Sequence, residues 1–485
     1  MREAGILLPI FSLPNPYGIG TLGKEAYDFV DFLVRCHQKY WQVLPIGPTS
    51  YGDSPYQSFS CFAGNPYFID FDLLKEEGLL ELEDYEFLRD ESLRIDYGRL
   101  YETRFNVLRK AYNRFNKDLL KDFEKEHAYW LNDYALFMTI KGLNNGKAFN
   151  EWDHNIVTRC EKTIKELSKK YQDDINFWKF IQYMFFKEWS SLKEYANSKG
   201  IMIIGDMPIY TAYDSSDVWA NPQYFQLDKN LTPKKVAGCP PDAFTPLGQL
   251  WGNPLYDYKR MKEDNYRWWT ERARVANSLF DITRIDHFRG FEAYYTIPFG
   301  DKDAVRGTWV KGPNTNLFKV IEKEVPGIKI IAENLGFLTL GVDKMLKRLG
   351  YPGMKVLEFS FGPDDDENKP CNFEENNVVY PGTHDNPPIR AWYDTLSDKE
   401  KQYLKDYLFF KEDYDAGNAV IRCALASQCK LAIISFVDYL QKGIEGRINT
   451  PSTLGNNWVF RIEVGDMNDN LAKYIAYLTD LYSRN

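Results

Sequence analysis

Short apolar runs ending in polar or charged residues recur along this chain. Tyr40-Trp41-Gln42-Val43-Leu44, Ile201-Met202-Ile203-Ile204, Phe280-Asp281-Ile282-Thr283, Ile328-Lys329-Ile330-Ile331, Met354 to Phe359, Val378-Val379-Tyr380 and Leu431 to Phe436 each have the length and the β-branched or aromatic content of one strand. Between many of them lie stretches with helical spacing, such as Asn265 to Ala276 and Leu338 to Leu349. Parallel strands need crossover connections, and a helix is the usual one, so this alternation predicts a parallel sheet. The predicted fold class is α/β, a closed (β/α)8 barrel of the TIM type.

From Asp72 to Ser198 the pattern changes to long charged helical segments, among them Tyr101 to Lys121 and Asp174 to Asn197, with no strand signal. This predicts a helical insertion, 72–198, within one catalytic barrel spanning 1–485. No Gly/Ser- or Pro-rich linker sets the insertion apart, and no internal repeat or low-complexity tract is present.

A chain of 485 residues with 44% hydrophobic and 27% charged side chains can bury a large core, and none of its apolar stretches has the length of a membrane span. The net charge of -9 disfavours a grip on nucleic acid phosphates or on an anionic membrane, leaving a neutral partner as the better fit. The N-terminal run Gly5 to Phe11 follows Glu3 and is broken by Pro9 before any cleavage site, so no signal peptide is read. Seven cysteines without CxxC spacing predict reduced thiols and a cytoplasmic setting. The 16% of aromatic residues suits stacking on sugar rings, although most aromatics in a protein of this size fill the core.

Gly18-Ile19-Gly20-Thr21-Leu22-Gly23 matches a dinucleotide fingerprint, but that motif needs a strand running into its first glycine. Pro14-Asn15-Pro16 would break such a strand, and no nucleotide cofactor is expected. Asp364-Asp365-Asp366-Glu367 lacks the ligand alternation and glycine of a calcium loop, and reads as a solvated surface loop. No metal is expected.

Stronger chemistry lies at the predicted C-terminal ends of strands, where barrel enzymes place their reacting groups. Arg284-Ile285-Asp286-His287-Phe288-Arg289-Gly290 follows one strand, Ala332-Glu333-Asn334-Leu335-Gly336 the next, and Gly382-Thr383-His384-Asp385-Asn386 a later one. Three carboxylates, Asp286, Glu333 and Asp385, then face one mouth. A retaining glycosidase needs one carboxylate to attack the anomeric carbon and a protonated one about 5 to 5.5 Å away to protonate the leaving oxygen. Arg284 is expected to keep Asp286 ionised while a less polar setting keeps the proton on Glu333. His287 and His384, two of five histidines, adjoin these acids and suit hydrogen bonds to sugar hydroxyls. Read as a metal pair they lack a third ligand at zinc-like spacing. Asp206, in Ile204-Gly205-Asp206-Met207-Pro208, ends another strand and is placed to hold Arg284 or the sugar.

These residues carry a resemblance. The chain resembles the 4-alpha-glucanotransferases of the amylomaltase type, within the wider alpha-amylase-like superfamily. The match includes Tyr51-Gly52-Asp53-Ser54-Pro55-Tyr56-Gln57-Ser58, Phe62-Ala63-Gly64-Asn65-Pro66, Pro240-Pro241-Asp242-Ala243-Phe244, Gly248-Gln249-Leu250-Trp251-Gly252-Asn253-Pro254, the three acidic motifs and Asn456-Asn457-Trp458. It covers nearly the whole chain. The resemblance implies a barrel with mostly helical inserted subdomains and no C-terminal β-domain, acting without metal or organic cofactor. It implies transfer of alpha-1,4-glucan segments from a maltooligosaccharide donor to the 4-hydroxyl of another glucan or glucose, with maltooligosaccharides, amylose and starch- or glycogen-derived glucans as partners. Asp286 is then the nucleophile, Glu333 the acid/base and Asp385 the transition-state stabiliser. Asp206, Arg284 and His384 line the donor subsite, and Tyr51 matches an aromatic position associated with glucan binding. The segment 238–254 matches a loop over the cleft, on which Phe244 and Trp251 shield the acceptor site. Asn334, beside Glu333, joins the expected substrate-binding set.

Two departures stand out. Asn386-Pro387-Pro388 replaces the Asp-Thr with which many relatives continue the third motif, and Ser435 to Tyr439 lacks a common Gln-Asp pair. The same residues would also serve an alpha-glucan hydrolase of the amylase kind, differing in water exclusion and acceptor binding. A glucan-binding scaffold that has lost activity is a further alternative, against which the presence of all three acids argues.

Overall fold

The computed structural model describes residues 2–50, 52–241, 245–336, 338–362 and 368–485. Tyr51, Phe244 and the acidic run Asp364 to Glu367 lie outside the described residues.

Eight strands form the centre: β1 (Glu3–Leu7), β2 (Tyr40–Gln42), β3 (Met202–Met207), β4 (Ile282–Ile285), β5 (Ile330–Ala332), β6 (Gly353–Val356), β7 (Asn377–Tyr380) and β8 (Leu431–Ser435). Each pairs in parallel with its neighbours in chain order, and β8 closes on β1. This is the predicted (β/α)8 barrel. Most residues of these strands are buried, since one face fills the barrel and the other is covered by helices, and this is why they read as short apolar runs.

β1 is absent from the sequence-based strands. It is a five-residue run with four buried positions and no alternation, and Pro9 follows at once. Its place is fixed by tertiary pairing, with Glu3 to Leu7 in register with Leu431 to Ser435 on one side and Gly5 to Leu7 with Tyr40 to Gln42 on the other.

Between β2 and β3 the named elements are all helical. The expected helix Tyr101 to Lys121 is in fact two, Tyr97–Arg114 and Leu120–Glu126, separated where the Asn116 side chain caps a 3-10 turn. The last helix of this stretch, Gln172–Ser198, runs 27 residues and packs against β3 and the helix Lys24–Arg35, so it doubles as part of the barrel's outer layer. After β8 the chain passes through short helices to Asp469–Leu481, which packs on Lys24–Arg35, and no β-domain follows among the described residues. Among those residues no helix is long and apolar enough to cross a membrane.

One element was not expected. Lys235–Cys239, Gln249–Pro254, Ala293–Pro298 and Thr308–Lys311 form a four-stranded antiparallel sheet beside the barrel mouth. The segment 238–254, expected as a loop, therefore carries strand residues at both ends.

The glycine motif has a packing explanation. A Cβ at Gly20 would overlap the Ile10 carbonyl oxygen, and one at Gly23 would overlap the Asp70 carboxylate. Asp70 accepts from Thr21 Oγ1 at 2.5 Å and lies at the start of the helix Lys24–Arg35, where a phosphate would otherwise sit. No strand leads into Gly18, which has a φ of 85°.

Candidate active site

Asp206 on β3 and Arg284 on β4 are direct register partners, so the two-residue period of the strands turns both side chains into the barrel. Both are almost wholly buried, and one terminal nitrogen of Arg284 donates to Asp206 Oδ1 and Oδ2 at 2.6 and 2.7 Å. The other donates to Glu333 Oε2 at 2.8 Å. Glu333 follows β5, and the same oxygen accepts the His287 backbone N–H at 2.8 Å. Asp286, just beyond β4, approaches Arg284 only to 3.5 Å.

The chain turns sharply at this point. Asp286 N donates to Met207 O, Glu333 N to Ile285 O and Phe288 N to Glu333 O, lacing the ends of three strands together. His287 adopts a φ of 47°, the left-handed region that costs a non-glycine residue energy, and such strain concentrates at functional sites. Its Nε2 is buried without a partner, its ring meets Trp251 edge to face at 4.8 Å, and burial lowers its pKa to about 4. The imidazole is neutral at ordinary pH.

Asp286 and Glu333 lie side by side at the cleft floor, close enough to act on each other's titration. Burial first, and then the negative charge of Glu333, push the Asp286 pKa well up. Burial also works to raise Glu333, but the Arg284 charge, the neighbouring Asp286 side chain and the His287 N–H outweigh it and lower its pKa. The directions of the two shifts favour protonation of Asp286 ahead of Glu333 in the ligand-free protein. This reverses the expectation that Arg284 keeps Asp286 ionised. The guanidinium lies closer to Asp206 and Glu333, and its lowering effect on Asp286 is outweighed by burial and by the charge of Glu333.

Above this floor lies a cleft of about 370 Å³. Asp286, His287, Glu333, His384, Asp385 and Trp251 line it, whereas Asp206 and Arg284 lie beneath and act on it through Tyr56 and the acids. Tyr56 O–H donates to Asp206 Oδ2 at 2.7 Å, lies 2.9 Å from His384 Nε2 and stacks on that imidazole with ring centres 5.3 Å apart. Asp385, beyond β7, is the most open of the three acids, with 46% of its side chain exposed. It accepts from Asn449 Nδ2 at 2.6 Å.

Asn334 corrects one expectation. Its Oδ1 accepts the Met354 N–H at 2.7 Å, so the side chain ties β5 to β6 and does not line the cleft. Other cleft residues had not been singled out: Tyr56, Gln57, Arg289, Trp309, Asn449 and Trp458. Tyr56 and Trp458 sit within motifs noted in the sequence, but nothing local marks which motif residue faces a cleft. Trp309 reaches it from the unexpected sheet, with its ring over the Arg289 guanidinium at 3.8 Å.

The geometry of two half-buried, adjacent acids on a barrel's C-terminal face meets a decisive likeness in sequence. The family model described as 4-alpha-glucanotransferase matches residues 8–467. The chain belongs to the 4-alpha-glucanotransferase family. It is 48% identical to the 4-alpha-glucanotransferase of Clostridium butyricum over 483 residues, 98% of this chain and 99% of that one. It is 45% identical to the enzyme of the same name from Streptococcus pneumoniae serotype 4 over 493 residues, 100% of this chain and 97% of that one. Among solved structures it is similar to an amylomaltase from Streptococcus agalactiae in complex with acarbose, with a TM-score of 0.97, 40% identity and complete coverage of both chains. Family membership makes it a retaining transferase of glucan segments rather than a hydrolase or an inert scaffold.

Proposed function

We propose that in this 4-alpha-glucanotransferase Asp286 attacks the anomeric carbon of an alpha-1,4-glucan, Glu333 protonates the departing sugar oxygen, and Asp385 grips hydroxyls of the ring as charge develops. The observation that carries the assignment is that Asp286 and Glu333, at the ends of adjacent barrel strands, face one cleft above Arg284, which lies 3.5 Å from the first and 2.8 Å from the second. The double displacement needs the two carboxyls about 5 to 5.5 Å apart with the sugar between them. It also needs Asp286 ionised and Glu333 protonated, so substrate binding moves the proton from Asp286, where burial favours it, to Glu333. Attack by Asp286 forms the C–O bond to the glucosyl carbon, the glycosidic bond breaks, and the proton leaves with the released chain. An incoming 4-hydroxyl then returns its proton to Glu333 as it displaces Asp286.

Tyr56, His384 and Trp458 form one polar and aromatic wall for the donor sugar, with Asp206 and Arg284 supporting it from beneath. Trp251, packed on His287 beside the acids, shields the acceptor side, in keeping with a role for 238–254 as a cover and for 72–198 as an insertion in a single catalytic barrel. Tyr51 and Phe244 belong to the same assignment through their motifs. Maltooligosaccharides and longer alpha-1,4-glucans are the proposed substrates, supported by the aromatic lining of the cleft around its acids and by the acarbose bound in the Streptococcus agalactiae amylomaltase. The free buried thiols of Cys36 and Cys429 favour a reducing, cytoplasmic setting.

Product analysis with maltotriose tests the reading. Transfer gives glucose and a ladder of longer maltooligosaccharides while reducing ends stay nearly constant. Reducing ends that rise in step with bond cleavage, with no longer chains, would contradict it.

A further inference from the structure

The loop after β7 that carries Asp385 is held from both sides by carboxyls that touch no substrate. Its two prolines, Pro387 and Pro388, have no N–H, so the first backbone donor after Asn386 is Ile389. That N–H donates to Asp438 Oδ1 at 2.9 Å, from the short helix Phe436–Tyr439 following β8. On the other side Glu358, in the 3-10 turn Leu357–Phe359 following β6, donates its own N–H to Pro381 O at 3.1 Å. Its carboxyl and Asn386 both crowd Gly382, where an added Cβ would lie 2.5 Å from Glu358 Oε1 and 3.3 Å from Asn386 Cβ, and Asn386 works to lower the Glu358 pKa.

Asn386 passes this hold to Asp385. Asn386 Oδ1 accepts Thr383 N and Thr383 Oγ1 at 3.0 and 2.8 Å, and Thr383 Oγ1 accepts Asp385 N at 3.3 Å. Arg447 fixes the far side by donating to Asp385 O at 3.0 Å. Glu358 and Asp438 are both buried, and the Oε1 of Glu358 has no partner. Burial raises both pKa values, Asp438 to about 7 and Glu358 well above the usual carboxylate range, with the Asp438 charge adding to the shift at Glu358. A buried carboxyl with an unpaired oxygen is costly to stability, so stability does not account for its presence here.

We propose that Glu358 and Asp438 are positioning residues that set the place of Asp385, Glu358 acting through Asn386 and Thr383 and Asp438 through the Ile389 N–H. The departure at Asn386-Pro387-Pro388 then belongs to this device, with Asp438 taking the N–H that the prolines leave. The prolines stiffen the loop and remove competing donors, and the flanking acids take the groups that remain. The proposal rests on the assignment of Asp385 to the reaction.

The test is steady-state transfer on maltotriose by Glu358→Ala, Glu358→Gln, Asn386→Ala and Asp385→Ala, with thermal unfolding of each. A shift of about 1 Å made away from the chemistry costs about 100-fold in rate, so Glu358→Ala and Asn386→Ala should each lower kcat by about that factor. KM should change by less than about 3-fold, because the lost contact acts in the transition state. Glu358→Gln, which keeps an acceptor for Asn386, should stay within about 3-fold of the unaltered enzyme, because a neutral acid and an amide fill the same place. Asn386→Ala, half-exposed on the loop, serves if Glu358→Ala does not fold. Unaltered kcat in Glu358→Ala and Asn386→Ala beside an inactive Asp385→Ala overturns the positioning role and leaves the site assignment standing. A Glu358→Gln enzyme as impaired as Glu358→Ala also overturns it. An active Asp385→Ala removes Asp385 from the reaction, and the proposal with it.

Discussion

Arg284 reaches Glu333 at 2.8 Å and Asp286 only at 3.5 Å, although Asp286 is two residues away in sequence and Glu333 is on the next strand. One buried guanidinium thus pairs with both Asp206 and Glu333, and the Asp286 carboxyl, farther from it, is the one whose pKa is raised. Arg284→Ala should destabilise the fold by about 3 to 5 kcal/mol, because it strands buried carboxylates without their cation. Urea unfolding checks this. A loss under about 1 kcal/mol, the scale of an exposed pair, would mean that the cluster is already screened by solvent.

Asp286→Asn keeps the side-chain shape while removing the attacking oxygen's charge. It is expected to bind maltooligosaccharides and to turn over none of them. Calorimetric binding alongside a transfer assay separates these effects, and near-normal turnover would remove Asp286 from the mechanism.

His287 should titrate near pH 4 in the folded protein, against about 6.5 in an unfolded chain. The sign follows from linkage. As pH falls from about 6.5 to 4 the unfolded chain takes up a proton that the folded chain refuses, so this residue lowers stability progressively across that window. His287→Asn tolerates the left-handed backbone and does not titrate, so its stability should fall less steeply between those pH values. Imidazole NMR on the unaltered protein gives the midpoint directly, and a value near 6.5 would show that the ring is solvated.

Much of the barrel is legible in the sequence because its strands are short, apolar and buried on both faces. The four-stranded sheet is not, since Thr308–Lys311 is exposed throughout and Gln249–Pro254 is mostly exposed or half-buried, leaving no apolar signal. The three acids are legible as strand-end residues. Their charge arrangement is not. Residues two apart share a face only while a strand continues, and β4 ends at Ile285, where His287 turns left-handed. That turn carries Asp286 away from Arg284 and brings the next strand's Glu333 under it. Asn334 misled for a similar reason: nothing in its neighbourhood shows that its amide caps the Met354 N–H.

Trp251→Ala should raise the share of hydrolysis. The ring packs edge-on to His287 beside the acids, and a held acceptor gains from alignment an effective concentration that reaches about 10⁵ to 10⁸ M in the best intramolecular cases, far above that of water. Opening this wall loosens the acceptor and admits water. The ratio of new reducing ends to longer maltooligosaccharides measures the change, and an unaltered ratio would place the shielding elsewhere.

The central claim is the covalent intermediate on Asp286. Glu333→Gln removes acid/base assistance, worth about two to four powers of ten in rate, but a maltosyl fluoride donor needs little protonation on departure. The first step should therefore proceed and the second stall, leaving sugar on the protein. Peptide mapping of the denatured adduct is predicted to find the glucosyl ester on Asp286, and its recovery on Asp385 or Asp206 would contradict the account.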